Sequence, residues 1–301
     1  MGLFGPPRGR SLGATPVVRV VCQAKNEEDV IEDWILYHAW LVGFESLVVL
    51  DDGSTDGTAA VLDRYRDLIR VIDLDPISRG HGEQKAENLT ALLLEHRDAD
   101  LLIPLDVDEF MLFEDRPDRC AILRELARLL RGGSSIFKFY QEFRSVTLKE
   151  RHTDPLMEID GFRRLRPGFD MKKVFFRGRD FQRVGLGQHT GYSSNDALPQ
   201  VSRLCLQHFQ WRGLAQTREK CLKGVIGYQT PINARLRGGG HYRRGAEAIA
   251  EGRFEEWARQ AIGTPDRRMR QFGHALLQVR GWARDRLDPT GNRTPHRPRE
   301  H

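Results

Sequence analysis

Cysteine is scarce in this chain. Its 301 residues include four, Cys22, Cys120, Cys205 and Cys221, with no Cys-x-x-Cys pair among them. That spacing writes neither a disulfide scaffold nor a cysteine zinc site, and a reducing, cytoplasmic compartment is the expectation. Long apolar runs are missing as well. Nowhere do the roughly 18 consecutive apolar residues of a membrane span occur, and mean hydropathy is −0.51. Residues 1–16 lack the apolar centre of a signal peptide and, rich in Gly, Pro and Arg, are expected to be disordered. Lysine is rare: it supplies 8 of the 47 basic residues and arginine the rest. Arginine forks onto phosphate and carboxylate, although GC-rich coding produces the same bias. The net charge of +5 and pI near 9.1 tolerate anionic partners. No basic tract or nucleic-acid motif is present, so no nucleic-acid partner is expected.

What is present is an alternation. The apolar run 17–22 reads as a buried strand, followed by a polar turn and then by apolar residues at Ile31, Trp34, Ile35, Leu41 and Val42. That spacing predicts an amphipathic helix, with Asn26 as its N-cap and Gly43 as its end. Further strands are expected at 47–50, 69–72 and 101–105, and helices at 58–66 and 83–95. Strands alternating with helices indicate βαβ units and a parallel sheet. Polar residues follow directly after the strands, at the carboxyl edge where open α/β sheets bind ligands. The first 115 residues or so therefore read as a nucleotide-binding half. The second half is less regular, with helices expected at 118–131, 218–227 and 247–259 and strands at 135–140, 173–176 and 201–209. Residues 288–301 read as a disordered tail.

Two acidic groups carry the chemistry. Asp106 and Asp108 end an apolar strand, and on extended chain carboxylates two apart face one side. Their charges oppose each other unless a cation lies between them. Mg²⁺ or Mn²⁺, shared with substrate phosphates, is the usual solution. The second group is Asp51-Asp52-Gly53-Ser54-Thr55-Asp56. Asp56 suits the N-cap of the next helix, while a carboxylate directly after a buried strand can accept from a nucleobase imide or a ribose hydroxyl.

In order, Gln23-Ala24-Lys25-Asn26-Glu27-Glu28, Asp51-Asp52-Gly53-Ser54-Thr55-Asp56 and Leu105-Asp106-Val107-Asp108-Glu109-Phe110 resemble a family 2-type glycosyltransferase. Within that family the chain looks most like the branch of family 92 and its DUF23-type relatives. The resemblance covers residues 17–115 well and extends more weakly to about residue 220. It implies an α/β GT-A fold, a Rossmann-like and mostly parallel central sheet flanked by helices, with a less regular acceptor-side half. The implied division is 17–115 for the nucleotide-sugar-binding half, 116–260 for the acceptor-side half and C-terminal elements, and 261–301 for a C-terminal helix and tail.

The implied activity is metal-dependent transfer of a sugar from a nucleotide-diphosphate donor, a UDP-sugar, to a glycan or lipid-linked acceptor, with inversion. A role in polysaccharide assembly and peripheral contact with the inner face of the membrane would go with it. Carried over position by position, Gln23, Ala24 and Lys25 border the nucleotide, Asp52 with Asp51 holds the base, and Asp106 faces the ribose or the metal. Asp108 binds Mn²⁺ or Mg²⁺. Arg79, Lys85 and Lys220 neutralise the diphosphate, and His208 or His189 adds a metal ligand. For the base that deprotonates the acceptor, Glu142, Asp160 and Asp170 are candidates and Glu142 is favoured. Two other readings stay open on the residues alone: a non-catalytic nucleotide- or carbohydrate-binding protein on the same scaffold, and a metal-dependent nucleotidyltransferase. The oligomeric state is not written in the sequence.

Overall fold

The computed structural model describes residues 15–75, 81–165, 172–195, 197–227 and 240–287. Strand β1 (Val18–Ala24) is buried along its whole length apart from Arg19. Its alternate residues feed two cores. Val18, Val20 and Cys22 join one apolar cluster, and Val21 joins another on the opposite face. A strand covered on both faces is apolar without alternation, which is why the run is continuous. β1 pairs in parallel with β2 (Leu47–Asp51) and β4 (Leu101–Pro104), and β2 pairs in parallel with β3 (Arg70–Asp73). Between them lie helices α1 (Ile31–Val42), α2 (Thr58–Tyr65) and α3 (His81–Glu95). Gly43, with φ +96°, ends α1 in a conformation that an L side chain rarely adopts.

The seven-stranded sheet runs β12-β6-β9-β4-β1-β2-β3. Its far side consists of β6 (Ile136–Lys138), β9 (Val174–Arg177) and β12 (Gln200–Val201), where β9 is antiparallel to both neighbours. The result is a mixed α/β architecture with a mostly parallel central sheet flanked by helices, as expected. A second, five-stranded sheet stands beside it in the order β14-β8-β7-β13-β5. It is built from β5 (Glu109–Phe113), β7 (Gln141–Ser145), β8 (Gly161–Arg164), β13 (Leu204–His208) and β14 (Arg267–Arg268). Among the described residues, β10 (Phe181–Val184) and β11 (Gly191–Ser193) form a separate hairpin. Among the described residues the further α-helices are α4 (Arg119–Leu130), α5 (Pro155–Glu158), α6 (Leu214–Gly227), α7 (Gly240–Ala250), α8 (Phe254–Ile262) and α9 (Arg270–Arg286).

The chain passes from the large sheet to the small one three times: β4 to β5, β6 to β7, and β12 to β13. Asp106-Val107-Asp108 occupies the first of these crossings. Phe110, Phe162, Phe209 and Phe272 meet edge-on and tilted beneath the small sheet, with centroids 5.1–5.7 Å apart, the packing aromatic rings favour.

Several expectations are corrected. Asn26 does not cap α1. The cap position is Val30 without a side-chain bond; Asn26 instead has φ +56°, and its Oδ1 accepts from Thr55 N at 2.7 Å, tying the first loop to the second. The cap position of α2 is Gly57 and not Asp56, although Asp56 Oδ1 accepts from Thr58 N at 2.9 Å. The run 201–209 is two strands in two sheets, interrupted at Ser202, whose Oγ and N–H both donate to Lys138 O. The helix expected over 247–259 is broken at Gly252, φ +68°, between α7 and α8. Asp106 and Asp108 lie in a turn, closed by Glu109 N–H donating to Asp106 O at 3.1 Å, and not on extended chain. The start and tail expected to be disordered, Arg79 and Asp170 fall outside the described residues, apart from residues 15 and 16. No described helix is long and apolar enough to cross a membrane.

Candidate functional site

Because β1, β2 and β4 run parallel, their carboxyl ends fall at one edge and bring the three acidic and polar loops together. Backbone bonds fasten the edge: Asp52 N–H donates to Ala24 O and Leu105 N–H to Val21 O, each at 2.9 Å. Glu27 N–H donates to Thr58 Oγ1 at 2.8 Å. Asp51 closes its own loop, accepting from Ser54 N and Oγ at 3.1 and 2.5 Å. Asp52 is fully buried, with Lys25 Nζ 3.5 Å from its Oδ2. Gln23 Oε1 accepts from Asn88 Nδ2 at 3.4 Å, so α3 is registered on β1.

The two carboxylates of the crossing take separate partners. Asp106 lies between two lysines: Lys85 Nζ is 2.7 Å from Oδ1 and Lys173 Nζ is 2.6 Å from Oδ2. Burial works against the charged carboxylate, but the Lys173 and Lys85 ammoniums outweigh it and hold Asp106 well below the usual range. Lys173 is 3% exposed. It also donates to Gln188 Oε1 at 2.5 Å and lies 3.4 Å from Glu109 Oε2. Burial opposes its charge, yet Asp106 and Glu109 raise it above the ordinary lysine value.

Asp108 faces the other way. Lys220 Nζ, from α6, donates to its Oδ2 at 2.7 Å, and Arg212 Nη1 reaches the same oxygen at 3.3 Å. His208 Nε2 is 3.3 Å from Oδ1. Arg212 is buried and also grips Asp29 and Glu27, joining the first loop to Asp108. Burial again opposes ionisation of Asp108, and Lys220, His208 and Arg212 overcome it.

Strand register sets the surroundings of His208. It is opposite Glu109 on β5 and Arg144 on β7. Its Nδ1 is 2.7 Å from Glu142 Oε1 and 3.7 Å from Glu109 Oε1. Although burial disfavours the imidazolium, Asp108 and Glu142 raise His208 to about 10. Burial raises Glu109 to about 7, against the pull of Lys173. Among the described residues, Glu109, Glu142 and His208 form the one group of three whose ligand atoms lie within 4.8 Å of one another. Neither Asp106 nor Asp108, both expected to bind the metal, is in that group. Asp108 Oδ1 and His208 Nε2 nonetheless pair a hard oxygen with an imidazole nitrogen. That donor chemistry fits Mn²⁺ or Mg²⁺ completed by phosphate oxygens.

Of the sequence candidates, Lys85, Asp106, Asp108, His208, Lys220 and Glu142 converge on the crossing, while Gln23, Ala24, Lys25, Asp51 and Asp52 line the adjoining edge. His189 is on the Lys173 side; burial and the Lys173 ammonium lower it to about 4. Asp160 is tied to Arg268 and Arg270. The structure adds Lys173, Arg212, Gln188 and Glu109. A lysine abutting the apolar run Val174-Phe175-Phe176 was the available signal for Lys173. Arg212 has no local signal, because its carboxylate partners are 104 to 185 residues away in sequence.

No family model matches the chain, and no curated protein matches it. Solved structures do align. Glucosyl-3-phosphoglycerate synthase from Mycobacterium tuberculosis, in complex with Mg²⁺ and uridine diphosphate, is 27% identical over 42% of this chain and 43% of its own, with a TM-score of 0.31. The same enzyme with phosphoglyceric acid is 22% identical over 75% and 80%, with a TM-score of 0.42. S. aureus TarS 1–349 with UDP-GlcNAc is 12% identical over 81% and 74%, with a TM-score of 0.40. The chain spans about two-fifths of the length of the first of these. At TM-scores of this size, the functional reading rests on this chain's own residues.

Proposed function

We propose that the chain is a metal-dependent glycosyltransferase of the GT-A type, moving a sugar from a UDP-sugar to a glycan or lipid-linked acceptor with inversion. The observation that supports it most is the sheet crossing. Two carboxylates there, at the carboxyl edge of a parallel sheet, are each matched by cations from separate elements: Lys85 and Lys173 on Asp106, Lys220 and Arg212 on Asp108. Such a cluster of fixed charges suits a ligand that brings its own negative diphosphate and a divalent cation. In this reading Asp52 and Lys25 hold the base, and Asp106, fixed by its lysines, meets the ribose. Asp108 and His208 hold Mn²⁺ or Mg²⁺. When bound, that ion would act as a Lewis acid on the leaving diphosphate. Lys220 and Arg212 stand where preorganised positive charge stabilises the negative charge that grows as the glycosidic bond breaks.

Nucleoside diphosphates tested in thermal unfolding, with and without Mn²⁺, check the reading. UDP with Mn²⁺ at about a hundred times Kd should add about 2.7 kcal/mol to stability, and Asp108→Ala should abolish the Mn²⁺-dependent part. Well-folded wild-type protein that no nucleotide stabilises in a metal-dependent way would overturn the proposal. Binding of UDP-sugar without release of UDP, over a panel of acceptors, would favour the non-catalytic binding protein.

A further inference from the structure

Glu142 has the wrong surroundings for a base that meets an incoming acceptor. It is 3% exposed, and its Oε1 already accepts two hydrogen bonds, from Arg144 Nε and from His208 Nδ1, both 2.7 Å long. Strand register builds this arrangement. β7 runs parallel to β13 with Glu142 opposite Leu206 and Arg144 opposite His208. Residues two apart on a strand share a face, so Glu142, Arg144 and His208 emerge together. On the far side of the ring, Nε2 is 3.3 Å from Asp108 Oδ1. Arg144, Glu142, His208 and Asp108 thus form a continuous chain from the small sheet to the crossing.

We propose, on the basis of the metal site assigned above, that Glu142 is a positioning residue. It fixes the His208 ring and, when the ion displaces the proton from Nε2, keeps the other on Nδ1, so that the Nε2 lone pair faces the ion beside Asp108. A histidine ligand whose second nitrogen donates to a carboxylate is the common arrangement at protein metal centres, and its loss weakens metal affinity about 10–100-fold. Arg144 in turn holds Glu142 in place. Glu109 Oε1, buried and without a hydrogen-bond partner among the described residues, is 3.7 Å from the same Nδ1. It offers a second, weaker acceptor, so removing Glu142 alone should weaken the site without emptying it.

Mn²⁺ binding to the full chain, measured by calorimetry and by the electron paramagnetic resonance of free Mn²⁺, tests the role. Glu142→Ala should raise Kd at least tenfold, and Glu142→Gln, which keeps an acceptor oxygen of the same shape, should raise it less. Asp108→Ala should remove binding. Affinity within twofold of wild type in both Glu142 variants, with binding still lost in Asp108→Ala, would overturn the positioning role alone. Binding that survives Asp108→Ala would overturn the metal site and this inference with it. Where the variants do not fold, two-bond proton–nitrogen NMR of the wild-type protein loaded with Mg²⁺ decides the matter. A proton on His208 Nδ1 is expected, and a proton on Nε2 would refute the role.

Discussion

At the scale of single residues, the candidate site is a problem in charge compensation. Asp106 and Glu109 sit within three residues of each other, with a third acid, Asp108, between them. Lys173 answers two of the three, contacting Asp106 at 2.6 Å and Glu109 at 3.4 Å. Removing one partner of a buried ion pair strands the other, at a cost of about 3–5 kcal/mol. Asp106 is partly open to water, with a side chain 29% exposed, which moves the expectation to the lower end. Lys173→Met should therefore lower the unfolding free energy by about 3 kcal/mol in urea titration. The double variant Lys173→Met/Asp106→Asn should recover part of the loss, because one of the two carboxylates that Lys173 answers is then neutral, with Glu109 and Lys85 left to be compensated. Equal losses in the single and double variants would show that Lys173 contributes through packing alone. The acidic half of this cluster was legible in the sequence, since Asp106 and Asp108 are two residues apart at the end of an apolar run. The basic half was not. Lys173 and Arg212 reach Asp106 and Asp108 from 67 and 104 residues away, distances at which residue spacing carries no geometric information.

At the scale of elements, legibility follows the hydrogen-bonding distance. The parallel strands β1, β2 and β4 were readable as continuous apolar runs closed by polar residues, and helices α1 to α3 as segments of helical period between them. The short strands of the small sheet were not. β8 is four residues and β14 is two, and their pairing joins Phe162 to Arg267 across more than a hundred residues. Tertiary contacts decide such segments, and intrinsic preference does not. The C-terminal helix α9 is another element whose place depends on distant partners. Arg280 forks onto Asp33 of α1 and onto Asp154 at the start of α5. Burial raises the Asp33 carboxyl, and Arg280 works against that shift. Arg280→Met should cost about 2 kcal/mol, below the usual figure for a buried pair because the guanidinium is partly solvated. Asp33→Asn should cost less in the Arg280→Met background than in wild type, a coupling that a double-mutant cycle reads directly. A coupling near zero would mean that α9 is held by the apolar contacts of Phe272, Leu276 and Val279 alone.

At the scale of the whole molecule, two sheets share one seam, and the acidic crossing lies on it because the chain leaves the large sheet there for the small one. Helix α1 sits behind that seam and brings His38 into the aromatic cluster, stacked on Phe110 with centroids 5.9 Å apart. His38 is wholly buried. Its Nδ1 is 2.9 Å from Trp34 O, which makes Nδ1 the donor and leaves Nε2 as a lone pair in an apolar setting. Burial lowers its pKa to about 3, against the lesser effect of that hydrogen bond. The unfolded chain restores an ordinary histidine near 6.5. A group depressed in the folded state binds its proton first in the unfolded state as pH falls. Its contribution is therefore complete above about pH 6.5 and is lost progressively from there towards pH 3. The slope is about 1.4 kcal/mol per pH unit for one such group. Glu109, raised to about 7, acts in the opposite sense over part of the same range, so the wild-type curve alone does not isolate His38. The difference between wild type and His38→Gln does. Urea unfolding of both proteins at pH 6.5, 5.5 and 4.5 should show the wild type losing about 1.4 kcal/mol more per unit than the variant. Parallel losses would mean that His38 is charged in the folded protein, and that the aromatic cluster behind the crossing admits a cation.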